Sequence, residues 1–249
     1  MRPIGFSTGA LAYSDFQLGL KILRNNHTRT IELSALRENE LSPLVAALDS
    51  LDLTDFTYVS VHAPSKYEPI REKEIIALLT KAAKRKWPII LHPDTIYNFS
   101  AWHVFADLLF IENMDKRNLT GRTARELSDV FQKLPQARLC FDLGHCRQVD
   151  PTMNEAYLIL QEFGTRLGQL HVSEVNSRST HDPLSDASIG AFEKIAYLIP
   201  EDVPVILESP VSSDEVESEI QRARFALRAT VSANGTRKRE ARHFHSAVT

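Results

Sequence analysis

Eight apolar, strand-like runs alternate with helix-type patterning along this chain, a rhythm that few folds accept. The runs are Pro3 to Thr8, Thr30 to Leu33, Tyr58 to His62, Pro88 to His92, Leu108 to Glu112, Arg138 to Asp142, Gly168 to Val172 and Pro204 to Glu208. Between them, Leu127, Val130, Phe131 and Leu134 follow helical spacing, as do Val216, Ile220, Ala223 and Leu227. Thr123-x-x-Glu126, Thr152-x-x-Glu155 and Ser212-x-x-Glu215 read as capping boxes that start helices. Successive run ends from His62 to Glu208 are 30, 20, 30, 29 and 37 residues apart, about what one βα unit needs. The expected fold is therefore α/β, a single (β/α)8 barrel whose site lies at the C-terminal ends of the strands. An open doubly wound sheet would call for a glycine-rich phosphate turn after the first strand, and Gly5-Phe6-Ser7-Thr8-Gly9 does not match that fingerprint.

Six of the runs stop at a histidine or carboxylate: His62, His92, Glu112, Asp142, His171 and Glu208, with His145 just after Asp142 and His181 in the loop after the seventh. In a parallel strand buried on both faces, such a last residue emerges from the core beside its neighbours. Five of the nine histidines fall at these ends or in their loops, while His27, His103, His243 and His245 lie elsewhere. Any one of them alone reads as an ordinary hydrogen-bonded histidine; together they read as a metal site. Histidine nitrogen with carboxylate oxygen suits zinc or manganese, and iron(II) as well, whereas magnesium or calcium would favour mostly oxygen. Glu32, ending the second run, and the loop cations Lys66, Lys116, Arg117, Arg147 and Arg178 are candidates for substrate contact.

Length and composition narrow the class. The chain has 249 residues and is 43% hydrophobic, enough for a large core in one domain. From about Val231 the hydrophobic pattern stops and Arg237-Lys238-Arg239-Glu240-Ala241-Arg242 follows, so the division expected is a barrel over residues 1–230 and a basic, disordered tail over 231–249. Only two cysteines are present, Cys140 and Cys146, which excludes a disulfide framework and fits a reducing compartment. No apolar run approaches a membrane span and no leader pattern is visible, so the expectation is a cytoplasmic protein without membrane contact. The net charge of −3 provides no global attraction to nucleic acid. Cys146 has no matched partner group for nucleophilic work, and Trp87 and Trp102 are expected to pack helices on the barrel.

The segments Val61-His62-Ala63-Pro64, Leu91-His92-Pro93, Ile111-Glu112-Asn113, Phe141-Asp142-Leu143-Gly144-His145, Leu170-His171-Val172-Ser173-Glu174 and Leu207-Glu208-Ser209-Pro210 resemble the xylose isomerase-like TIM barrels. That family includes the endonuclease IV enzymes and many sugar isomerases and epimerases. The resemblance implies two chemistries. In the endonuclease IV branch a three-metal cluster would rest on His62, His92, Glu112, Asp142, His145, His171, His181 and Glu208. One position departs: where that branch has Asp-x-His, this chain has Ser179-Thr180-His181, which puts the third metal in doubt. In the isomerase and epimerase branch a single metal would rest on Glu112, Asp142, His171 and Glu208, with Glu112 and Glu208 as acid and base.

The surplus of histidines favours the cluster, and hence phosphoester hydrolysis, over sugar or sugar-phosphate isomerisation. One to three divalent ions per chain are expected, with Glu112 bridging. The loops are short and lack a basic, aromatic surface for bent duplex DNA, so the expected substrate is small and phosphorylated or sugar-like. A barrel that binds metal or ligand without turnover is the third reading.

Overall fold

The computed structural model describes residues 2–228; the tail expected over 231–249 lies outside them. Eight parallel strands close a barrel in chain order: β1 (Ile4–Ser7), β2 (Thr30–Ser34), β3 (Tyr58–His62), β4 (Ile89–Leu91), β5 (Leu109–Glu112), β6 (Arg138–Asp142), β7 (Leu167–Val172) and β10 (Val205–Leu207), which returns to pair with β1. The two remaining strands, β8 (Glu174–Val175) and β9 (His181–Asp182), form a small antiparallel hairpin in the loop after β7. The (β/α)8 expectation holds for every strand, with His92 and Glu208 one residue beyond β4 and β10.

Alternation along the strands sorts the side chains. Ile31, Leu33, Val59, Val61, Leu91, Ile111, Leu139, Phe141, Leu170, Val172, Val205 and Leu207 point outward into the main core. The surrounding helices cover them: α2 (Phe16–Asn25), α3 (Glu38–Ala47), α4 (Glu72–Ala83), α6 (Ala124–Lys133), α8 (Asn154–Phe163), α9 (Asp186–Glu193) and α10 (Val216–Ala226). Shorter helical turns α1 (Thr8–Ala12), α5 (Phe99–Trp102) and α7 (Leu143–Val149) line the C-terminal side. The other parity fills the barrel interior, where Ile90, Phe110 and Cys140 make a small separate apolar cluster and Glu32, Ser60 and Gln169 a polar one. Ser7, His62, Glu112, Asp142, His171 and Glu208 share this inward parity at the top.

Two glycines are set by close approach. A Cβ at Gly5 would fall 1.7 Å from the carbonyl oxygen of Thr30, so β1 and β2 meet only because no side chain intervenes. A Cβ at Gly144 would lie 2.7 Å from the Ser173 carbonyl oxygen, at the turn between Asp142 and His145. The capping expectations hold in part. Thr123 caps α6 by accepting from the Glu126 amide at 3.2 Å. At α8 the work passes to Asp150, whose carboxylate accepts from the Thr152 and Glu155 amides at 3.0 and 2.9 Å. A carboxylate is the stronger acceptor, and it displaces the expected Thr152 cap. Trp102 is fully buried against the helices and Trp87 partly so, and both cysteines are free and buried. Among the described residues, no helix is long and apolar enough to cross a membrane.

Candidate metal centre

Glu112 ends β5 at the middle of the mouth, almost fully buried. Its Oε2 lies 3.2 Å from His62 Nε2, 3.4 Å from His92 Nε2 and 3.3 Å from His171 Nδ1, and its Oε1 lies 3.2 Å from His145 Nδ1. Glu208 Oε2 stands 3.6 Å from both His171 Nδ1 and His181 Nδ1. The structure thus brings all eight expected ligand residues to one site. Among the described residues, four groups have donor atoms within 4.8 Å of one another: His62, His92 and Glu112; Glu112, Asp142, His171 and Glu208; Glu112, Cys140 and His171; and Glu32, His62, His171 and Glu208. Glu112 belongs to the first three, and the first two lie wholly at the strand ends.

Local structure aims these side chains. Because a carbonyl only accepts, His62 Nδ1–H donates to that of Ala63 at 2.7 Å, so Nε2 is the nitrogen turned to Glu112 and the one that would take a cation in exchange for a proton. His145 Nδ1–H donates likewise to the Asn113 carbonyl at 3.0 Å. Asn113 also holds the ends of β5 and β6 together: its amide donates to the Asp142 carbonyl at 2.9 Å and its Oδ1 accepts from the Asp142 amide at 2.7 Å. Asp142 Oδ1 accepts from the His145 amide at 2.6 Å and so starts α7, leaving Oδ2 without a partner.

The donors fit a divalent cation. Asp142 Oδ2, His171 Nδ1 and Glu208 Oε2 are all buried and have no hydrogen-bond partner, and all three belong to the group they form with Glu112. Buried polar atoms left unpaired are costly, and a shared cation satisfies all three at once. The electrostatics agree. Burial opposes ionisation of Glu112, yet His171, His92 and the His145 contact hold its carboxyl well below the usual range. Burial pushes Glu208 up to about 8, with Glu112 and Asp142 adding repulsion against the attraction of His171. Burial would lower His145, but Asp142 and Glu112 raise it to about 10. Burial and the neighbouring His145 depress His181 to about 4.

The third position does not fit. Ser179 has φ of +57° and its hydroxyl is engaged with Gln148, donating to Oε1 at 3.1 Å and accepting from Nε2 at 2.8 Å. Asp182 Oδ2 accepts from Asn176 at 2.8 Å. His181 Nδ1 is 2.7 Å from Ser173 Oγ. Among the described residues, Glu208 is the one carboxylate within 4 Å of a His181 ring nitrogen.

Above the centre opens a cavity of about 400 Å³. His62, His92, Glu112, His145, His181 and Glu208 line its floor. Of the expected substrate contacts, all but Arg117 lie elsewhere. Glu32 is two residues short of the end of β2, so the same parity that points it inward puts it one layer beneath the site, fully buried. Lys66, Lys116 and Arg178 are exposed off the cavity wall, and Arg147 pairs with Glu174 at 2.9 Å. Of the loop cations only Arg117 reaches the wall, where its Nε and Nη2 donate to Asp115 Oδ2 at 2.9 and 2.7 Å. Asp94, Asp115, Tyr13 and Ser65 also line it and were not anticipated; their one signal was membership of loops that follow strands β1, β3, β4 and β5.

No family model matches the sequence, and no curated protein matches it either. Solved structures do. Endonuclease IV from Thermus thermophilus is 17% identical, covering 91% of this chain and 99% of that one at a TM-score of 0.59. The apo form of 3-keto-D-glucoside 4-epimerase from E. coli is 12% identical, covering 91% and 99% at 0.56. A xylose isomerase-like TIM barrel protein from Mycobacterium smegmatis in complex with magnesium is 11% identical, covering 92% and 98% at 0.58. At these identities the likeness is one of fold: the chain is a (β/α)8 TIM barrel, and solved structures that share this fold with it include endonuclease IV and a xylose isomerase-like barrel protein.

Proposed function

We propose that this protein is a phosphoester hydrolase whose centre takes two divalent cations, one among His62, His92 and Glu112 and one among Glu112, Asp142, His171 and Glu208. The observation that carries the reading is Glu112, whose single Oε2 atom lies within 3.4 Å of nitrogen atoms from both groups. Zinc or manganese suits this mixture of imidazole and carboxylate. Bound there, the cations supply Lewis acidity, neutralising phosphate charge and making water a stronger acid. The chain's own groups do the rest. His62 and His145, each held by a backbone carbonyl, keep fixed ring orientations. His181, on the hairpin, lines the cavity where a substrate would sit, and Arg117 is the wall's only arginine or lysine among the described residues. One cation already paired with Asp115 suits a small phosphorylated substrate better than a polyanion.

One observation favours the second reading, isomerisation or epimerisation of a sugar or sugar phosphate on a single cation. Glu208 and Glu112 have their pKa values pushed in opposite directions, the split that lets two carboxyls serve as acid and base. Cation counting by mass spectrometry of the metal-loaded chain separates the two, combined with assays on phosphomonoester, phosphodiester and ketose panels. Two ions per chain with ester cleavage is the expected result. One tight ion with ketose turnover would overturn it in favour of the isomerase.

A further inference from the structure

We propose that Glu32, buried beneath the centre, is a positioning residue that keeps the His171 proton on Nε2 and so leaves Nδ1 free for a cation. The inference rests on the metal-site reading above. Glu32 Oε2 faces three hydrogen-bearing groups: Gln169 Nε2 at 2.7 Å, Ser60 Oγ at 3.0 Å and His171 Nε2 at 3.1 Å. All are inside the barrel, and Glu32, Ser60, Gln169 and His171 are fully buried. The amide of Gln169 has one workable orientation. Its Oε1 accepts from the Tyr58 hydroxyl at 2.7 Å, and turned over it would put an oxygen against the Glu32 carboxylate.

A carboxylate only accepts, so the contact with His171 is a bond only when Nε2 carries the proton. The neutral ring then has its lone pair on Nδ1, which has no hydrogen-bond partner and lies 3.3 Å from Glu112 Oε2 and 3.6 Å from Glu208 Oε2. Gln169 Nε2, 2.9 Å from the same His171 nitrogen, pulls the other way by offering a proton to it. A charged acceptor is the stronger partner, and with a cation held among Glu112, Asp142 and Glu208 to take the Nδ1 lone pair, only the opposite tautomer would set a lone pair against a bare carboxylate, that of Glu32. Glu32 therefore decides the tautomer, as carboxylates behind metal-bound histidines do.

The test is zinc affinity by competition with a chromophoric chelator for wild type, Glu32→Gln and Ser60→Ala, with 1H–15N spectra of the histidine rings in the zinc-loaded chains. Glu32→Gln keeps shape and removes charge; its affinity for one of two zinc ions is expected to fall roughly 10- to 100-fold. The His171 ring N–H, exchange-protected and far downfield in wild type, is expected to move upfield. Ser60→Ala, which disturbs the same layer without touching His171, should bind zinc nearly as wild type does. Equal affinity in Glu32→Gln with an unshifted ring N–H would overturn the inference and leave the metal centre standing. Wild type that binds no zinc would overturn the metal reading itself. Should Glu32→Gln not fold, the wild-type spectrum decides: a zinc-loaded chain lacking the downfield ring N–H refutes the inference.

Discussion

At the residue scale, the two cation groups have separable memberships, and single substitutions should dissect them. Of the two proposed cation groups, His62 and His92 belong to the one they form with Glu112 and Asp142 to the other, while His62 also lies within 4.8 Å of donors on Glu32, His171 and Glu208. His62→Ala is expected to leave one cation per chain with the affinity of the Asp142 group unchanged, and Asp142→Asn the converse, read by metal counting after gel filtration. Glu112→Gln should cost both ions, because its Oε2 faces both sets of nitrogens. If His62→Ala and wild type hold the same number of ions, the first group is not a cation site. Proton release gives a second check. Burial and like charge hold the Glu208 carboxyl at about 8, and carboxylate neighbours hold His145 at about 10. Both therefore carry protons at pH 7 in the cation-free chain. A cation held by Glu208 must displace its proton. Calorimetric titrations in buffers of differing ionisation enthalpy should show net proton release at pH 7 that declines as pH rises past 8.

At the scale of elements, the hairpin of β8 and β9 depends on clips rather than on core. Gln148, on α7, donates to the Asn176 carbonyl at 2.6 Å and to Ser179 Oγ at 2.8 Å, while its Oε1 accepts from the Lys116 amide at 3.2 Å. One side chain thus ties the loops after β5 and β7 together beside His181. Gln148→Ala is expected to raise amide hydrogen exchange across residues 174–182 while both cations stay bound, since neither group includes a hairpin residue. Unchanged exchange there would show that the hairpin holds without Gln148, on the Arg147–Glu174, Ser173–His181 and Asn176–Asp182 contacts. Gly144→Ala tests the same region from the turn: a methyl 2.7 Å from the Ser173 carbonyl forces β7 and α7 apart, at a cost of about 1–3 kcal/mol in urea unfolding. These clips also mark what the sequence concealed. The strands were legible because their outward positions are apolar, and the ligand row because it ends six of them. Gln148, on a short helix, and Asn113 and Asp94, just after strands β5 and β4, are ordinary polar residues, and only the folded chain places them around the site. Glu32 was legible as a strand-end carboxylate but not in depth, because no sequence pattern says how far one strand is staggered against the next.

At the scale of the whole molecule, the barrel gathers carboxylates and histidines at the top of its own interior, so its stability and its ligand are linked. In the cation-free chain, burial lowers the His62 and His171 rings, but their carboxylate neighbours outweigh it and raise both, as they raise His145. A histidine raised in the folded state contributes stability fully present below its unfolded pKa, near 6.5, and lost as pH climbs through the folded value. Glu208 acts in the same direction: protonated in the folded chain up to about 8 and ionised in the unfolded chain above the ordinary carboxyl range, it too loses its contribution as pH rises. His181, held at about 4, works oppositely, but only between that value and 6.5. The cation-free protein should therefore melt at progressively lower temperature from pH 6.5 to pH 9. A cation replaces those protons, and its own hold strengthens as they leave. At zinc or manganese concentrations 100-fold over the dissociation constant, linkage contributes about 2.7 kcal/mol per site, or roughly 5–10 °C in Tm for a chain of this size. The cation-dependent rise in Tm should therefore be small at pH 6 and large at pH 8.5. A rise independent of pH would mean that the ions bind elsewhere than among these histidines and carboxylates.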